Sequence, residues 1–507
     1  MDVPGLMRQS VALHADRPAV LTEHGRYTFA EMWDRGVRTA NALIAAGVRP
    51  GDRVAGLEDN NLGAADLFLG AAIAGAVRVP LYARNSAEAH AHMIAQTDSV
   101  VVMTDAAYAD SVKGLDTHVI VRDAGYEDWL AAQSDVDPMV EVGPDDWCVI
   151  RHSAGTTGRS KGVGYTQQGW LVNCRNWLYR LPNLRWGSVV GHAGPISHAS
   201  GYLFLPAWLH GSTNLLFGAF EPRKVLDMLT EHSVTHMFTP PSMVQMLAAE
   251  AGGQAFPALE CVLVGGAPIT DATALAGRAA FGDVLYQVFG QTEAVPLTIM
   301  TPEEWFGDHP GSQPMRAAGR VLPFARMQVR DEDGVTVLPL NSEGELWAQV
   351  EGQMIEFWGD ESGELTAERL VDGWVRTRDI GRIDANGFVY VLDRADDMIV
   401  SGGFNIWPAE LETVIADHAC VVEVAVFSIP HERWGETPMA VCRVDDRDAV
   451  TEQEIIELVT ERLGSYKKPG AVEFVTEPLP KNVVGKLLRK ALREPHWAGR
   501  EQRVSGA

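Results

Sequence analysis

Residues 151–162 read RHSAGTTGRSKG, a stretch dense in glycines, hydroxyl side chains and cations that continues the strand-like segment DWCVI at 146–150. Glycines allow consecutive backbone N–H groups to point at one anion, and hydroxyls and a lysine add donors and positive charge. This pattern predicts a phosphate-binding loop. The residues expected to contact the phosphate are Ser153, Gly155, Thr156, Thr157, Gly158 and Lys161.

The surroundings of the lysine differ from those in the Walker phosphate loop. That motif requires glycine immediately before the lysine and serine or threonine after it. Here Ser160 precedes Lys161 and Gly162 follows it. Taken alone, the stretch is also compatible with a solvated turn, so the phosphate hypothesis depends on other motifs.

The composition indicates a large, acidic chain. It has 507 residues, of which 46% are hydrophobic. A chain of this length exceeds what a single hydrophobic core usually organises, so we predict at least two domains. Lys and Arg number 42 against 67 Asp and Glu, and the formal net charge of -25 argues against binding nucleic acid or an anionic membrane surface. A bound phosphate would therefore need a local cluster of donors.

Targeting and metal-binding signals are weak. The first residues lack a basic start followed by an apolar run, and the longest apolar run, residues 67–77, is too short to span a bilayer. We therefore expect a cytoplasmic protein without a membrane span. The five cysteines are scattered and lack the spacing of a disulfide framework or a zinc site.

Helix and strand signals alternate through most of the chain, which is typical of an α/β fold. Thr28 with Glu31 predicts a capping box that opens an amphipathic helix, and Gly47 ends that helix. Near residue 396 the pattern changes to a smaller α+β unit. We therefore predict two domains, residues 1–395 and residues 396–507.

Further motifs follow the glycine-rich stretch in a defined order. They are PISHASGY at 195–202, LVGGAPIT at 263–270, YQVFGQTEA at 286–294, RTRDIGRID at 376–384 and LPKNVVGKLLR at 479–489. In order and separation the set resembles the acyl-adenylate-forming enzymes, the superfamily that includes acyl- and aryl-CoA synthetases. The resemblance covers essentially the whole chain. It implies a large N-terminal α/β domain of adenylate-forming type with a small mobile α+β C-terminal domain.

The resemblance implies catalytic roles around the α-phosphate of ATP. Lys486 matches the family lysine that bridges the attacking carboxylate and this phosphate, although on its own it would be interpreted as a solvated helix residue. Glu293 matches the residue that holds magnesium, a cation that takes one or two carboxylates together with phosphate oxygens. Thr292 would donate to the phosphate.

The nucleotide contacts are implied in the same way. Phe289 would stack on adenine, Asp379 would accept both ribose hydroxyls, and Arg394 would also contact the nucleotide. The remaining implied contacts are Gly265, Gly266, Ala267, Gln287, Gly290 and Gln291. Arg378 and Asp393 stand where the family usually has glycine, so the local backbone geometry and the affinity for ATP are in question.

The acid pocket is indicated by fewer residues. His198 lies where related CoA synthetases often have a gate between the acyl pocket and the thiol channel, and a structural histidine is the alternative. Ala199 replaces the aspartate that pairs with the ammonium in amino-acid-activating relatives, which disfavours a free amino acid. The expected pocket walls are Asn176, Trp177, His198, Phe238, Val288, Pro296 and Leu297.

The resemblance also implies a hinge at Asp396, about which the small domain would turn between two half-reactions. The turn would remove Lys486 and bring Gly402 and Gly403 beside the pantetheine arm of CoA. Trp434 would stack on the CoA adenine, with a packing role as the alternative. Lys467 and Lys468 could meet CoA phosphates, although simple solvation is the more ordinary interpretation.

Together these assignments predict an AMP-forming carboxylate–CoA ligase that uses ATP, Mg²⁺ and CoA and favours an aromatic or medium-sized acid. Three alternatives stay open. The chain could load an acyl group onto a carrier protein, adenylate nitrite for transfer to an aryl amine, or bind a ligand without catalysis. The last is disfavoured because Lys486, Glu293, Asp379 and Arg394 are all present.

We expect Lys486→Ala to slow adenylation at least about a hundredfold, because it removes a charge that contacts the transition state. Thioester formation from supplied acyl-adenylate should be largely retained. Pyrophosphate release measures the first step, and a CoA chase measures the second. Equal losses in both half-reactions would contradict the two-state assignment.

Overall fold

Three β-sheets organise the part of the chain that the structure describes. The computed structural model describes residues 2–83, 85–153, 160–266, 269, 271–331, 333–394, 399–406, 408–480 and 489–498. The helices are α1 Val3–His14, α2 Phe29–Ala45, α3 Leu62–Ile73, α4 Ala87–Gln96, α5 Tyr126–Ala131, α6 Gln167–Trp177, α7 Gly201–Leu209, α8 Pro222–Glu231, α9 Pro241–Glu250, α10 Asp271–Phe281, α11 Pro302–Phe306, α12 Glu364–Arg369, α13 Pro408–Ala416, α14 Glu452–Leu463 and α15 Arg489–Trp497.

The strands distribute over the three sheets. They are β1 Pro18–Thr22, β2 Gly25–Thr28, β3 Arg53–Leu57, β4 Val77–Pro80, β5 Ser99–Asp105, β6 His118–Arg122, β7 Trp147–Ser153, β8 Lys161–Thr166, β9 Val189–His192, β10 Thr213–Leu216, β11 His236–Thr239, β12 Cys261–Gly265, β13 Leu285–Gln291, β14 Ala294–Met300, β15 Gly319–Val321, β16 Ala325–Arg330, β17 Gly344–Val350, β18 Leu370–Val371, β19 Trp374–Ile383, β20 Phe388–Arg394, β21 Ile399–Ser401, β22 Phe404–Ile406, β23 Val421–His431, β24 Gly435–Val444 and β25 Ala471–Val475.

A 14-stranded sheet has the order β16-β17-β19-β20-β15-β14-β13-β12-β11-β9-β10-β1-β2, with β18 on β19. Strands β1, β10, β9, β11, β12 and β13 are mutually parallel, and from β13 through β14 onward the pairing is antiparallel. The direction reverses at a two-residue turn, Thr292-Glu293, because Gln291 pairs with Ala294. This turn lies at the carboxyl ends of the parallel strands, where α/β sheets bind ligands.

A six-stranded sheet has the order β6-β5-β3-β4-β7-β8, parallel except for β8. Arg78 on β4 pairs in register with Val149 on β7. Since side chains two residues apart on a strand share a face, Arg78 and Arg151 project from the same face of this sheet. Because successive side chains of a strand alternate between the two faces, His152 projects from the opposite face.

The predicted capping box is confirmed. The Thr28 hydroxyl accepts from the Glu31 amide at 3.2 Å, and the Glu31 carboxylate accepts from the Thr28 amide at 2.7 Å. Both bonds satisfy groups that the first turn of α2 would otherwise leave without partners. Gly47 follows the helix with φ +95°, a left-handed conformation that suits glycine.

A five-stranded sheet, β22-β21-β24-β23 with β25 on β24, forms the C-terminal unit with helices α13, α14 and α15. Its core includes Ile399, Leu411 and Ile455, each fully buried. Residues 395–398, and with them the expected hinge Asp396, lie outside the described residues, so the domain boundary stays a prediction. Within the part of the chain that the structure describes, no helix combines the length and apolarity needed to cross a membrane.

Arg378 occupies a strained position in β19. Its φ is +58°, in the left-handed region that costs a residue with a Cβ roughly 1–2 kcal/mol. The register against β17 shifts at this point, since Ile380 pairs with Glu345 whereas Arg376 pairs with Trp347. An arginine therefore occupies a bulged, left-handed position that glycine adopts more easily. An ion pair with Glu368 holds the guanidinium.

We expect Arg378→Gly to be more stable than Arg378→Ala by about 1 kcal/mol. Both variants lose the ion pair with Glu368, but only alanine keeps a Cβ in the left-handed conformation. Urea denaturation of the two variants gives the difference. An alanine variant as stable as the glycine variant would show that the bulge relaxes without strain.

Candidate functional site

One large cavity, of about 1480 Å³, lies where the three sheets meet. Its walls include Lys161 from β8, Glu293 from the turn after β13, and Gly403 from the C-terminal unit. The volume exceeds the roughly 300–1,000 Å³ typical of a site for one small molecule. The cavity can therefore hold a nucleotide together with further ligand groups.

The phosphate-loop candidates are described only in part. Residues 154–159, which include Gly155, Thr156, Thr157 and Gly158, lie outside the described residues, as does the Ser153 side chain. Lys161 begins β8 at the cavity. Burial lowers the pKa of its ammonium, and the charges of Arg369 and Arg378 lower it further. Three cations therefore converge on this end of the cavity.

Two backbone contacts position the Thr292-Glu293 turn. The Tyr165 hydroxyl donates to the Thr292 carbonyl oxygen, and the Met354 amide donates to the Glu293 carbonyl oxygen at 2.8 Å. The Glu293 carboxylate lines the cavity, is almost fully buried and lies 3.6 Å from the Arg369 guanidinium. The turn thus presents one carboxylate to the ligand space.

Glu293 fits the expected magnesium site in its chemistry. Mg²⁺ is commonly bound by one or two protein carboxylates plus phosphate oxygens. Among the described residues, no cluster of three or more His, Cys, Asp or Glu side chains could hold a metal without such help. A metal at Glu293 would therefore depend on the nucleotide for its other ligands.

Gln291 connects the turn to the expected ribose carboxylate. Its side-chain amide donates to the Thr377 carbonyl oxygen and to the Asp379 carboxylate, both at 2.7 Å, and its oxygen accepts from Arg369 at 2.9 Å. Asp379 is fully buried and lies behind Gln291 instead of in the cavity wall. Its expected contact with ribose stays a prediction.

The adenine side of the cavity contains most of the expected residues. Gln287, Phe289, Gly290, Gly265 and Gly266 line it. A Cβ at Gly265 would come within 2.5 Å of a Val288 methyl, so this close strand packing requires glycine. The buried Gln287 side-chain oxygen has no hydrogen-bond partner within the described residues and can accept from a ligand. Ala267 and the Arg394 side chain lie outside the described part.

The expected acyl walls are found in part. Trp177, Phe238, Val288 and His198 line the cavity, whereas Asn176, Pro296 and Leu297 do not. Asn176 is buried and donates to the Glu351 carbonyl oxygen at 3.0 Å, so it supports the wall from behind. For Pro296 and Leu297 the expectation of a lining position is wrong: Val295 is the β14 residue at the cavity, and the sequence does not show how far along a strand the cavity extends.

His198 lies between the acyl wall and the C-terminal unit. Its ring centre is 4.5 Å from that of Tyr82, and Tyr82 in turn contacts Phe404 of the C-terminal unit at 5.6 Å. Burial, and then the charge of Arg151, lower the pKa of His198 to about 3. The imidazole is therefore neutral near pH 7 and fits a steric gate better than a proton carrier.

The C-terminal unit meets the same cavity. Gly402, Gly403 and Trp434 line it, and the Ser242 hydroxyl donates to the Gly402 carbonyl oxygen at 2.9 Å. The Tyr466 hydroxyl donates to the Asn85 side chain at 2.6 Å, a second polar contact between the units. The face that the sequence assigned to CoA thus lies at the cavity.

Lys467 and Lys468 of this unit are not both available to bind a CoA phosphate. Lys467 is buried, and its ammonium lies 2.7 Å from the equally buried Glu410 carboxylate. Only Lys468 is exposed. A contact between Lys467 and a CoA phosphate would require breaking a buried ion pair, which typically costs several kcal/mol. The expected adenylation lysine, Lys486, lies outside the described residues.

Arg151 is a cavity residue to which the sequence analysis gave no role. Its guanidinium lies 4.3 Å from the centre of the Tyr202 ring, beside Trp177 and His198 in the acyl wall. Arg151 belongs to the glycine-rich stretch, but the sequence alone does not show that its side chain lines the cavity.

Comparisons with known proteins cover nearly the whole chain. The AMP-binding enzyme family matches residues 7–358, and the AMP-binding enzyme C-terminal domain family matches residues 410–486. A feruloyl-CoA synthase from an Amycolatopsis species is 35% identical over 482 residues, which cover 94% of this chain and 95% of that protein.

Two solved structures share the fold closely. The amide bond synthetase McbA from Marinactinospora thermotolerans has a TM-score of 0.88 at 27% identity, covering 97% of this chain and 99% of that chain. A variant of the o-succinylbenzoate CoA synthetase from Bacillus subtilis, bound with its product analogue, has a TM-score of 0.88 at 26% identity with the same coverage.

Proposed function

The chain belongs to the AMP-binding enzyme family, and on that basis we propose that it is an ATP-dependent, AMP-forming ligase that joins a carboxylic acid to CoA. The resemblance predicted from the ordered motifs is confirmed, as are the adenylate-forming α/β fold and the enzyme class. The acid, the acceptor and the roles of individual residues belong to the proposal.

One observation favours a two-step ligase over an enzyme that only adenylates its acid. The cavity that contains Lys161 and Glu293, the residues suited to phosphate and magnesium, also contains Gly403 and Trp434 from the C-terminal unit. An enzyme that only adenylated its acid would not need a glycine-rich surface at this place. A slim thiol arm can pass such a surface and reach an acyl-adenylate in the same cavity.

In the first half-reaction, the acid carboxylate attacks the α-phosphate of ATP, and acyl-adenylate and pyrophosphate form. Lys161 and Arg369 would lower the repulsion between the two anions, and Glu293 would hold magnesium against the phosphates. When bound, magnesium supplies further charge neutralisation. Lys486 is proposed as the lysine at the reacting oxygen.

In the second half-reaction, the CoA thiol attacks the acyl carbon and AMP leaves. His198 would open or close the passage between acyl wall and thiol arm, since it lies against Tyr82 at the boundary with the C-terminal unit. Trp434 would stack on the CoA adenine. An aromatic or medium-sized acid fits a wall made of Trp177, Phe238 and Val288.

The function is tested by pyrophosphate release with ATP across benzoate-type, cinnamate-type, octanoate, palmitate, amino-acid and nitrite substrates, with and without CoA. We expect release with aromatic or medium-sized acids and a CoA thioester identified by mass. Turnover with nitrite alone would overturn the proposal. So would acyl-adenylate that free CoA never discharges but that an amine or a carrier protein does.

A pair of glycine variants tests the role of the C-terminal unit. Gly403 has φ +87°, and a Cβ there would lie 3.2 Å from the Pro240 side chain across the cavity. Gly435 has φ +76° but open space around it. We expect Gly403→Ala to slow thioester formation about tenfold, because the added contact costs about 1–2 kcal/mol, and to leave adenylation within about threefold.

Gly435→Ala is the matched control, since it carries similar backbone strain without a contact across the cavity. Single-turnover formation of acyl-adenylate followed by a CoA chase separates the two steps. If both variants slow the CoA step equally, strain within the C-terminal unit accounts for the effect and the proposed thiol passage beside Gly403 is wrong.

A further inference from the structure

Two side chains of the acyl wall, Arg151 and Trp177, carry hydrogen-bond donors without an acceptor among the described residues. Arg151 is 9% exposed, and within the described residues its guanidinium contacts aromatic rings but forms no hydrogen bond and no ion pair with a carboxylate. The indole N–H of Trp177 is also buried and lacks an acceptor among the described residues. Both side chains line the cavity and contact the Tyr202 ring, Trp177 at 4.7 Å between ring centres.

Neighbouring groups leave the charge of Arg151 uncompensated. Arg78 projects from the same sheet face and adds a second positive charge there. Two buried carboxylates lie near this face, and each has another arginine beside it: Glu58 pairs with Arg122, and Glu293 lies 3.6 Å from Arg369. The Tyr202 ring offers only a cation–π contact, which is weaker than a carboxylate partner. Burying an unpaired cation is costly, so such a group is retained where a ligand supplies the counter-charge.

Resting on the proposed function, we propose that the acid bears a second carboxylate, which Arg151 binds through paired N–H groups while Trp177 donates a further hydrogen bond. The planar guanidinium matches a carboxylate bidentately, and the indole N–H reaches an oxygen at its edge. The substrate is then a dicarboxylic acid of which one carboxylate is adenylated. The sequence predicted only an aromatic or medium-sized acid and gave no role to Arg151.

The test compares pairs of acids that differ only in the distal group. Benzene-1,4-dicarboxylate, 4-carboxycinnamate and adipate are each paired with the corresponding monoamide, which has the same shape without the charge. Pyrophosphate release without CoA, with hydroxylamine to regenerate the enzyme, gives kcat/KM for each acid. We expect the wild-type enzyme to prefer the dicarboxylate at least about tenfold in one or more pairs, as a charged hydrogen bond typically provides.

Arg151→Gln should abolish that preference by raising KM for the dicarboxylate and leave the monoamide within about threefold. Arg151→Lys should retain part of it, because it keeps the charge and loses the bidentate geometry. Arg175→Gln is the control, since it removes a positive charge from α6, the helix that carries Trp177, and Arg175 does not line the cavity. It should leave the preference unchanged within about threefold.

The outcomes separate this inference from the proposed function. If monoamides, benzoate or octanoate drive release and no dicarboxylate is preferred by the wild-type enzyme, the inference is wrong and the ligase proposal stands. If Arg151→Gln lowers both members of each pair equally, Arg151 acts on the reacting carboxylate or the α-phosphate, and the inference is again wrong. If no acid drives release, the ligase proposal fails and the inference fails with it. The wild-type comparison decides even if a variant does not fold.

Discussion

The hydrogen bond from Tyr165 to the Thr292 carbonyl oxygen joins the two large sheets at the place where the chemistry is proposed. Tyr165 belongs to the six-stranded sheet and Thr292 to the turn that reverses the 14-stranded sheet. The Tyr165 hydroxyl is buried, so losing its acceptor would leave a buried polar group unsatisfied. The contact fixes the position of Glu293 relative to Lys161, and the proposed screening of two anions depends on that position.

The site is cationic although the protein is strongly acidic. Lys161, Arg369 and Arg378 gather at one end of the cavity, and Arg151 lies in the acyl wall. In a partly buried space these charges act on a ligand more strongly than the distant surface carboxylates do. The net charge of -25 thus predicts weak binding of extended polyanions, whereas this local group of cations can bind a small anionic ligand.

Among the described residues, an aromatic cluster and a small set of polar contacts connect the C-terminal unit with the rest of the chain, which suits the proposed rotation of that unit. Aromatic rings of Tyr82, Phe404 and Tyr466 meet at centre distances of 5.0–5.6 Å, with one hydrogen bond to Asn85 nearby. Such a contact stabilises one orientation without forming a large common core. Because Tyr82 also touches His198, the proposed gate lies beside the same aromatic group.

Much of the fold was predictable because its signals are local. The Thr28–Glu31 capping box and the separate α+β unit follow from short spacings, and the ordered motifs identified the family, which the comparisons confirm. The ordered motifs also selected Thr292 and Glu293, which the structure places in the turn after β13, although the roles of these residues stay proposals.

The sequence by itself thus determined the family, the α/β class and the set of residues from which a site can be built. Only the tertiary structure shows that Arg378 adopts a left-handed bulge and that Lys467 pairs with Glu410. It also shows that Asp379 lies behind Gln291 and that Arg151 lies in the acyl wall. Local patterns specify where helices, strands and turns occur. Which side of a strand is buried, and which charge lies opposite it, depends on partners tens to hundreds of residues away in the chain.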